Sequence, residues 1–211
     1  MKRRLFVGLG AAVMAASTAF GLSGAALAET TSGDQTASVI EMVMGAEDAP
    51  VTVVEYASFT CPHCASFHQE VLPQLKENYI DTGKVRFVYR EAYFSKYDLW
   101  ASLLARCGGQ MRYFGIVDIL MDDQKAWLGD GAPQTVVANL RKIGLTAGLT
   151  NEGMDACFQD REKVEKLVAW YKENFSRDDM NATPSFMIAG QKYANMGYED
   201  FVATLDEKLA K

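Results

Sequence analysis

Two cysteines separated by two residues, Cys61 and Cys64, are the residues of this sequence best suited to covalent chemistry. At the start of a helix, positions three apart lie on one face of the first turn, so the two sulfurs can form a disulfide without unwinding the helix. The unpaired N–H groups and the positive end of the helix dipole favour thiolate over thiol, so we expect a depressed pKa for Cys61. Cys61, at the exposed tip, is the predicted nucleophile, and Cys64, one turn further in, is the predicted resolving thiol.

The two residues between the cysteines suit the same chemistry. Pro62 fits the first helical turn, where its missing N–H is no loss. His63 can add positive charge or a hydrogen bond, and either would stabilise the thiolate and make the disulfide a better oxidant.

Other uses of this cysteine pair are less well supported. A structural zinc site needs about four ligands. Cys61 and Cys64 supply two and His68 a possible third, and the chain has no histidine outside this stretch. Haem attachment requires His directly after the second cysteine, where Ala65 stands. A purely structural disulfide over so small a loop restricts the unfolded chain little. We therefore expect redox chemistry without a metal or other cofactor.

The elements that must position the pair follow from periodicity. Residues 51–58 (VTVVEYAS) are largely β-branched and apolar, which predicts a buried strand that ends just before the cysteines. The helix that begins at the cysteines should be kinked by Pro73. Residues 82–84 predict a turn and residues 85–89 a second strand. Residues 51–89 are therefore predicted to form a β–α–β unit with parallel strands.

The middle of the chain has helical periodicity instead. Apolar residues recur three and four positions apart in residues 98–107, 135–143 and 164–175. The third stripe consists of Val164, Leu167, Val168, Tyr171 and Phe175. This pattern predicts a helical region of roughly 85 residues without a convincing strand. Strands are predicted at 185–189 and 192–196, with a turn at Gly190–Gln191 between them, and a last helix carries Phe201, Leu205 and Leu209.

The N-terminus predicts export. Lys2, Arg3 and Arg4 precede an uncharged apolar run, and the small-residue stretch ends in Ala26-Leu27-Ala28. This is the pattern of a signal peptide over residues 1–28, followed by a disordered polar arm at 29–37. An uncleaved membrane anchor is the alternative, which the short, Ala- and Gly-rich run disfavours. The remaining chain would lie in the periplasm, where disulfides persist.

The charge balance excludes one class of partner. Without the three basic residues of the signal peptide, 18 basic residues remain against 27 acidic ones. Nucleic-acid binding needs a basic surface, so we expect no nucleic-acid partner.

The order of these elements, with a CxxC between the first strand and its helix, resembles the thioredoxin fold. The signal peptide, the sequence Cys61-Pro62-His63-Cys64 and the helical region sharpen the likeness. Over roughly residues 38–211, the chain resembles the DsbA-type thiol:disulfide oxidoreductases of the bacterial periplasm. The resemblance implies an α/β fold, with a thioredoxin-like domain at 38–90 and 178–211 and a helical insertion at 91–177.

Further residues correspond to positions of this family. Thr183-Pro184 resembles the family's cis-proline loop, which sets the backbone of the residue before the proline beside the cysteines, where an extended substrate can pair with it. Thr183 stands where the best-known members carry Val. Glu55, six residues before Cys61, corresponds to a buried acid that helps to move protons during exchange. A solvent-facing edge position is the alternative for Glu55.

The two remaining cysteines, Cys107 and Cys157, lie on apolar helical stripes. They could be buried free thiols. In an oxidising compartment we favour a structural disulfide between them, as some DsbA relatives have. A pairing of either one with Cys61 or Cys64 would block the active pair.

The resemblance implies an enzyme that oxidises cysteines of exported proteins through the Cys61–Cys64 pair. It also implies reoxidation by a membrane quinone-linked partner of the DsbB type, and we expect a monomer. The alternatives are a periplasmic disulfide reductase or isomerase, and a metal- or peptide-binding thioredoxin-like module.

Overall fold

A five-stranded mixed sheet organises residues 39–211, the part of the chain that this computed structural model describes. The strands are β1 (Met42–Met44), β2 (Val51–Ala57), β3 (Val85–Glu91), β4 (Ser185–Ile188) and β5 (Gln191–Ala194). Their order across the sheet is β1-β3-β2-β4-β5. The central strand β2 is parallel to β3 and antiparallel to β4. The predicted signal peptide (1–28) and arm (29–37) lie outside the described residues.

The helix that follows β2, residues 62–80, is here called the active-site helix. It consists of α1 (Pro62–Ser66), a π-helical segment (Phe67–Val71), α2 (Leu72–Leu75) and a second π-helical segment (Lys76–Ile80). The helices between β3 and β4 are α3 (Lys96–Cys107), α4 (Gly109–Asp122), α5 (Gln124–Leu128), α6 (Pro133–Thr146), α7 (Asn151–Gln159) and α8 (Arg161–Arg177). The last helix is α9 (Tyr198–Leu209).

Pro73 interrupts the active-site helix as predicted, and the interruption takes the form of a π-turn. Because proline lacks an N–H and its ring clashes with the carbonyl four residues earlier, a regular α-helix is disfavoured across this position. The N–H of Leu72 instead bonds the carbonyl of Phe67, five residues back. Such π-turns are frequent at functional sites. The segment around this turn presents Phe67, His68 and Val71 to the interior.

Alternation along β2 decides which residues face the active-site helix. Strand side chains alternate between the two faces of a sheet, so Val51, Val53, Glu55 and Ala57 share one face. All four are buried, and Val53 and Glu55 have no exposed surface. Register places Glu55 beside Tyr89 of β3 and Phe186 of β4. Glu55 therefore lies on a central strand, and the solvent-facing edge position considered for it is excluded.

Two features of the sheet differ from the sequence-based expectation. Strand β1 was not predicted, because three residues at a sheet edge carry too short a pattern to be recognised. The turn between β4 and β5 lies at Ala189–Gly190, one residue earlier than predicted. Both turn residues have positive φ, 47° and 77°. A two-residue hairpin turn of type I′ requires this sign at both positions, and β5 consequently begins at Gln191.

The helical region also buries a different face of α8 than its apolar stripe predicted. Leu167 of the predicted stripe is buried together with Trp170, which the stripe did not include. Tyr171 and Phe175 of the stripe are only half-buried. The Trp170 ring lies 5.7 Å from the guanidinium of Arg90 and 5.6 Å from that of Arg106. Cation–π contacts with two arginines from other elements thus favour burial of a residue that the stripe left out.

Candidate active site

The two cysteines lie just after β2, at the start of the active-site helix. Cys61 is the N-cap residue, with an extended backbone (φ −82°, ψ 118°), and Pro62 is the first helical residue. Cys61 is half-buried, Cys64 is fully buried, and both are free thiols. The arrangement leaves one sulfur accessible to a second molecule and the other one turn deeper, as the spacing predicted.

The surroundings of the two sulfurs shift their pKa values in opposite directions. A hydrogen bond from Cys64 is the largest cause that lowers the pKa of Cys61, to about 5. Hydrogen bonds from Thr183 and from the backbone N–H groups of Cys64 and His63 add to this effect, while partial burial opposes it. Burial raises the pKa of the Cys64 thiol far above its usual range, and the hydrogen bond to Cys61 and the charge of Glu55 raise it further.

The two residues between the cysteines, Pro62 and His63, are exposed. The contribution of His63 to the Cys61 thiolate comes through its backbone N–H. Both side chains lie at the surface beside the half-buried sulfur.

The loop before β4 closes the other side of the site. The peptide bond between Thr183 and Pro184 is cis, and Pro184 is buried. The Cys61 Sγ donates to the carbonyl oxygen of Thr183 at 3.3 Å. The structure thus brings two segments 122 residues apart in sequence into contact at the half-buried sulfur.

Beneath the cysteines, Glu55 pairs with a residue whose role the sequence did not indicate. The Nε2 atom of His68 lies 3.0 Å from Glu55 Oε2, and both side chains are buried. His68 was considered above as a third zinc ligand. Within residues 39–211, no three His, Cys, Asp or Glu side chains are grouped to hold a metal ion.

Two buried residues outside the cysteine motif hold the loop that precedes Cys61. The Asp98 carboxylate of α3 accepts hydrogen bonds from Ser58 Oγ (2.7 Å) and from the backbone N–H of Thr60 (2.9 Å). Gln124 Nε2 of α5 donates to the carbonyl oxygens of Phe59 (2.9 Å) and Cys61 (3.0 Å). The capping-box pattern Ser95-x-x-Asp98 could have pointed to Asp98, whereas nothing in the sequence singles out Gln124.

Cys107 and Cys157 are joined by a disulfide that links the C-terminal end of α3 to α7. Their Cα atoms are 6.0 Å apart and 50 residues separate them in sequence. This bridge lies in the helical region, and Cys61 and Cys64 take no part in it.

Comparison with known proteins identifies the family. The model of the family described as Thioredoxin matches residues 37–207. The chain belongs to the thioredoxin family. Within this family, relatives carry names that indicate disulfide chemistry. A putative protein-disulfide oxidoreductase of Rickettsia bellii is 35% identical over 80% of this chain and 64% of its own length. A probable disulfide bond formation protein D of Bacillus anthracis is 52% identical over 80% of this chain and 78% of its own length.

Among solved structures, α-DsbA1 of Wolbachia pipientis superposes with a TM-score of 0.74 at 24% identity, over 86% of this chain and 96% of its own. The expected thioredoxin fold with inserted helices and the resemblance to DsbA-type family members are confirmed. The matched part spans less than two thirds of the length of the rickettsial relatives. Between residues 39 and 211, no helix has both the length and the apolarity needed to cross a membrane.

Proposed function

We propose that this thioredoxin-family protein is a thiol:disulfide oxidoreductase that oxidises cysteines of exported proteins through the Cys61–Cys64 pair. The observation that carries the proposal is the placement of the two sulfurs, with Cys61 half-buried at the N-cap of the active-site helix and Cys64 fully buried. This placement lowers the pKa of Cys61 and raises that of Cys64. A stabilised Cys61 thiolate favours the reduced form of the pair over the disulfide. An oxidised protein of this kind therefore tends to take electrons from other thiols.

The reaction proceeds by two exchanges. A substrate thiolate attacks Cys61 Sγ of the Cys61–Cys64 disulfide. A mixed disulfide forms, and the electron pair of the broken bond stays on Cys64, which takes up a proton. A second substrate thiolate then attacks the substrate sulfur of the mixed disulfide. The substrate leaves oxidised, and Cys61 leaves as a thiolate.

The surroundings of Cys61 suit an extended polypeptide as the substrate. The Thr183 carbonyl lies against the half-buried sulfur and belongs to a loop that leads into β4. A main chain laid beside this loop can form strand-like hydrogen bonds with it, and such bonds carry no sequence preference. His63 and Pro62, both exposed, would flank the incoming chain.

The cellular setting that fits this activity is the periplasm. The N-terminal pattern of residues 1–28 suggests export by a cleaved signal peptide. A membrane quinone-linked partner of the DsbB type would return the Cys61–Cys64 pair to the disulfide. The protein is proposed to act as a monomer.

The test combines an equilibrium and a turnover measurement. The reduction potential, measured against glutathione, should lie above about −200 mV. That of thioredoxin is much lower, about −270 mV. The oxidised protein should also convert a reduced two-cysteine peptide to its disulfide. Cys64→Ser cannot form the Cys61–Cys64 disulfide, so oxidised glutathione is supplied as the oxidant, and this variant should accumulate the mixed disulfide of glutathione with Cys61. A potential near that of thioredoxin would favour the reductase alternative. Peptide oxidation that survives Cys61→Ser would refute the proposed nucleophile.

A further inference from the structure

The loop that brings Thr183 to the half-buried sulfur is also fixed at its other end. This loop, residues 178–184, connects α8 to β4 and is here called the Thr183 loop. Near its end, the Thr183 carbonyl oxygen lies 3.3 Å from Cys61 Sγ. At its start, the side chain of Asp178 belongs to a polar cluster built on the two central strands. One short loop thus joins this cluster to the sulfur of the nucleophile.

Tyr56 of β2, Arg90 of β3 and Asp178 form this cluster, here called the Asp178 cluster. Tyr56 and Arg90 are partners in the register of the two parallel strands, and Tyr56 faces away from the active-site helix because strand side chains alternate. The Tyr56 hydroxyl donates to Asp178 Oδ2 and accepts a hydrogen bond of 2.8 Å from Arg90 Nη1. The same Arg90 atom donates to Asp178 Oδ2 at 3.1 Å. Each of the three groups therefore bonds to the other two.

Arg90 is held from further sides as well. Its Nε atom donates to Glu41 Oε1, just before β1, at 2.8 Å. Its guanidinium lies 5.7 Å from the ring of Trp170 in α8 and 5.6 Å from the ring of Tyr56. A planar guanidinium that stacks on aromatic rings loses little further freedom when it binds a carboxylate. The donor that Arg90 presents to the Thr183 loop is therefore already in place.

The Asp178 cluster keeps one charge state near neutral pH. Burial and the hydrogen bond to Asp178 raise the pKa of Tyr56 well above its usual value, so its hydroxyl remains a donor. Burial opposes the ionisation of Asp178, but hydrogen bonds from Arg177 and Tyr56 outweigh it and lower the pKa of this carboxyl. An ionised acceptor makes these hydrogen bonds strong, and the start of the loop stays attached to the sheet.

Between Asp178 and Thr183, the loop has a buried part and an exposed part. Met180 is buried, and its N–H donates to the Phe175 carbonyl at 2.8 Å. Asn181 and Ala182 are exposed. A substrate main chain that aligns with the loop restricts these exposed residues, and ordering a loop costs binding free energy. Because the Asp178 cluster fixes where the loop begins, it lowers that cost.

We propose that Tyr56 and Arg90 are positioning residues for disulfide exchange, which fix Asp178 and thereby hold the Thr183 loop ready to receive the main chain of a polypeptide substrate. The inference rests on the proposed function, because it requires a polypeptide to bind at this loop. The bonds that form and break are those described above, between the substrate sulfurs and the two cysteines. Loss of the cluster should therefore weaken peptide binding and spare the reaction with a small thiol that has no main chain.

The test compares two variants that each remove a buried tyrosine hydroxyl bonded to an aspartate. Tyr56→Phe removes the donor to Asp178. Tyr79→Phe is the matched control, because Tyr79 is also buried and its hydroxyl donates to Asp206 Oδ1 of α9 at 2.9 Å. In the full chain, KM and kcat are measured for oxidation of a reduced two-cysteine peptide. The rate at which dithiothreitol opens the active-site disulfide is measured separately, because dithiothreitol has thiols but no peptide main chain.

Tyr56→Phe should raise the peptide KM about fivefold, the size expected when a short stretch of loop must be ordered on binding. Its kcat and its dithiothreitol rate should stay at the wild-type values. Tyr79→Phe should leave KM unchanged, even if it lowers the melting temperature as much. An unchanged KM in Tyr56→Phe, or an equal rise in both variants, would overturn the proposal. A parallel loss of the dithiothreitol rate would also overturn it, since the cysteines themselves would then be displaced.

A second variant keeps the proposal open to refutation if Tyr56→Phe does not fold. Asp178→Asn keeps the shape of the side chain and removes the charge that Arg90 binds. It should likewise raise the peptide KM and leave the dithiothreitol rate unchanged. A wild-type KM in Asp178→Asn would refute the role of the cluster.

The wild type separates this inference from the proposed function. If the wild type does not oxidise the peptide, the proposed direction is wrong, and KM is then measured for reduction of the peptide disulfide, which passes through the same mixed disulfide. A raised KM of Tyr56→Phe in that assay would still support the positioning role. Normal peptide oxidation with an unchanged KM in Tyr56→Phe would support the proposed function alone. A wild type that acts on peptides in neither direction would refute both.

Discussion

Gln124 donates one hydrogen bond to the carbonyl of Phe59 and another to that of Cys61, and thereby joins the inserted helices to the segment that carries the nucleophile. The Gln124 side chain is buried, as is Phe59. The Cys61 carbonyl also accepts the first backbone hydrogen bonds of the active-site helix, from Cys64 and Ala65. The N-cap of this helix is therefore held by local backbone contacts and by a residue 63 positions away.

Gln124→Ala should destabilise the protein by about 1–3 kcal/mol, because it leaves the buried Phe59 carbonyl without this donor. Urea unfolding measures the change. Gln74→Ala is the matched control, because the Gln74 amide donates to the Glu70 carbonyl from an exposed position. Its cost should stay within about 0.5 kcal/mol. If both variants lose the same free energy of unfolding, the buried amide of Gln124 has no special role.

Titration of the Cys61 thiolate by its ultraviolet absorbance should give a pKa of about 5 in the reduced protein. Because the folded pKa lies below the unfolded one, the thiolate stabilises the reduced protein fully above the unfolded pKa. This contribution is lost as the pH falls through the folded value. The stability of the wild type relative to Cys61→Ser should consequently rise between about pH 5 and 9. If the difference in stability between the wild type and Cys61→Ser does not change with pH across this window, Cys61 is not a thiolate in the reduced protein.

The equilibrium with glutathione should depend on pH for the same reason. Two glutathione thiols give up two protons on reducing the disulfide; Cys64 keeps one, and the other is released because Cys61 stays ionised. The equilibrium constant for reduction should rise about tenfold per pH unit between about pH 5.5 and 8 and level off below the Cys61 pKa. The dithiothreitol–glutathione equilibrium, measured in parallel, should remain flat. A flat curve for the protein would mean that Cys61 is protonated when reduced.

Local sequence patterns were enough to locate those site residues whose positions are determined by residues nearby in the chain. The spacing of Cys61 and Cys64, with Pro62 between them, placed both sulfurs at a helix start. The position of Glu55 within an apolar strand indicated that it is an unusual acid. These inferences hold because helix and strand periodicities determine which side chains share a face.

Such patterns could not predict contacts between segments that are far apart in sequence. His68 was considered as a zinc ligand, because its spacing from Cys64 is visible in the sequence while its approach to Glu55 depends on how the helix packs on β2. Gln124 and Trp170 contact residues far away in sequence, and no periodicity encodes such pairings. The fold class could be predicted from the sequence. The role of Gln124 in holding the loop before Cys61 could not.

Replacing Cys107 and Cys157 together with alanine should lower the free energy of unfolding by about 4 kcal/mol, because the bridge closes a loop of some 50 residues in the unfolded chain. Unfolding is compared with Cys61 and Cys64 reduced in both proteins, so that only the second bridge differs. Thiol counting in denaturant provides the control and should give two free thiols in this form of the wild type. A count of four, or a loss below about 1 kcal/mol, would mean that the bridge does not form or does not restrain the unfolded chain.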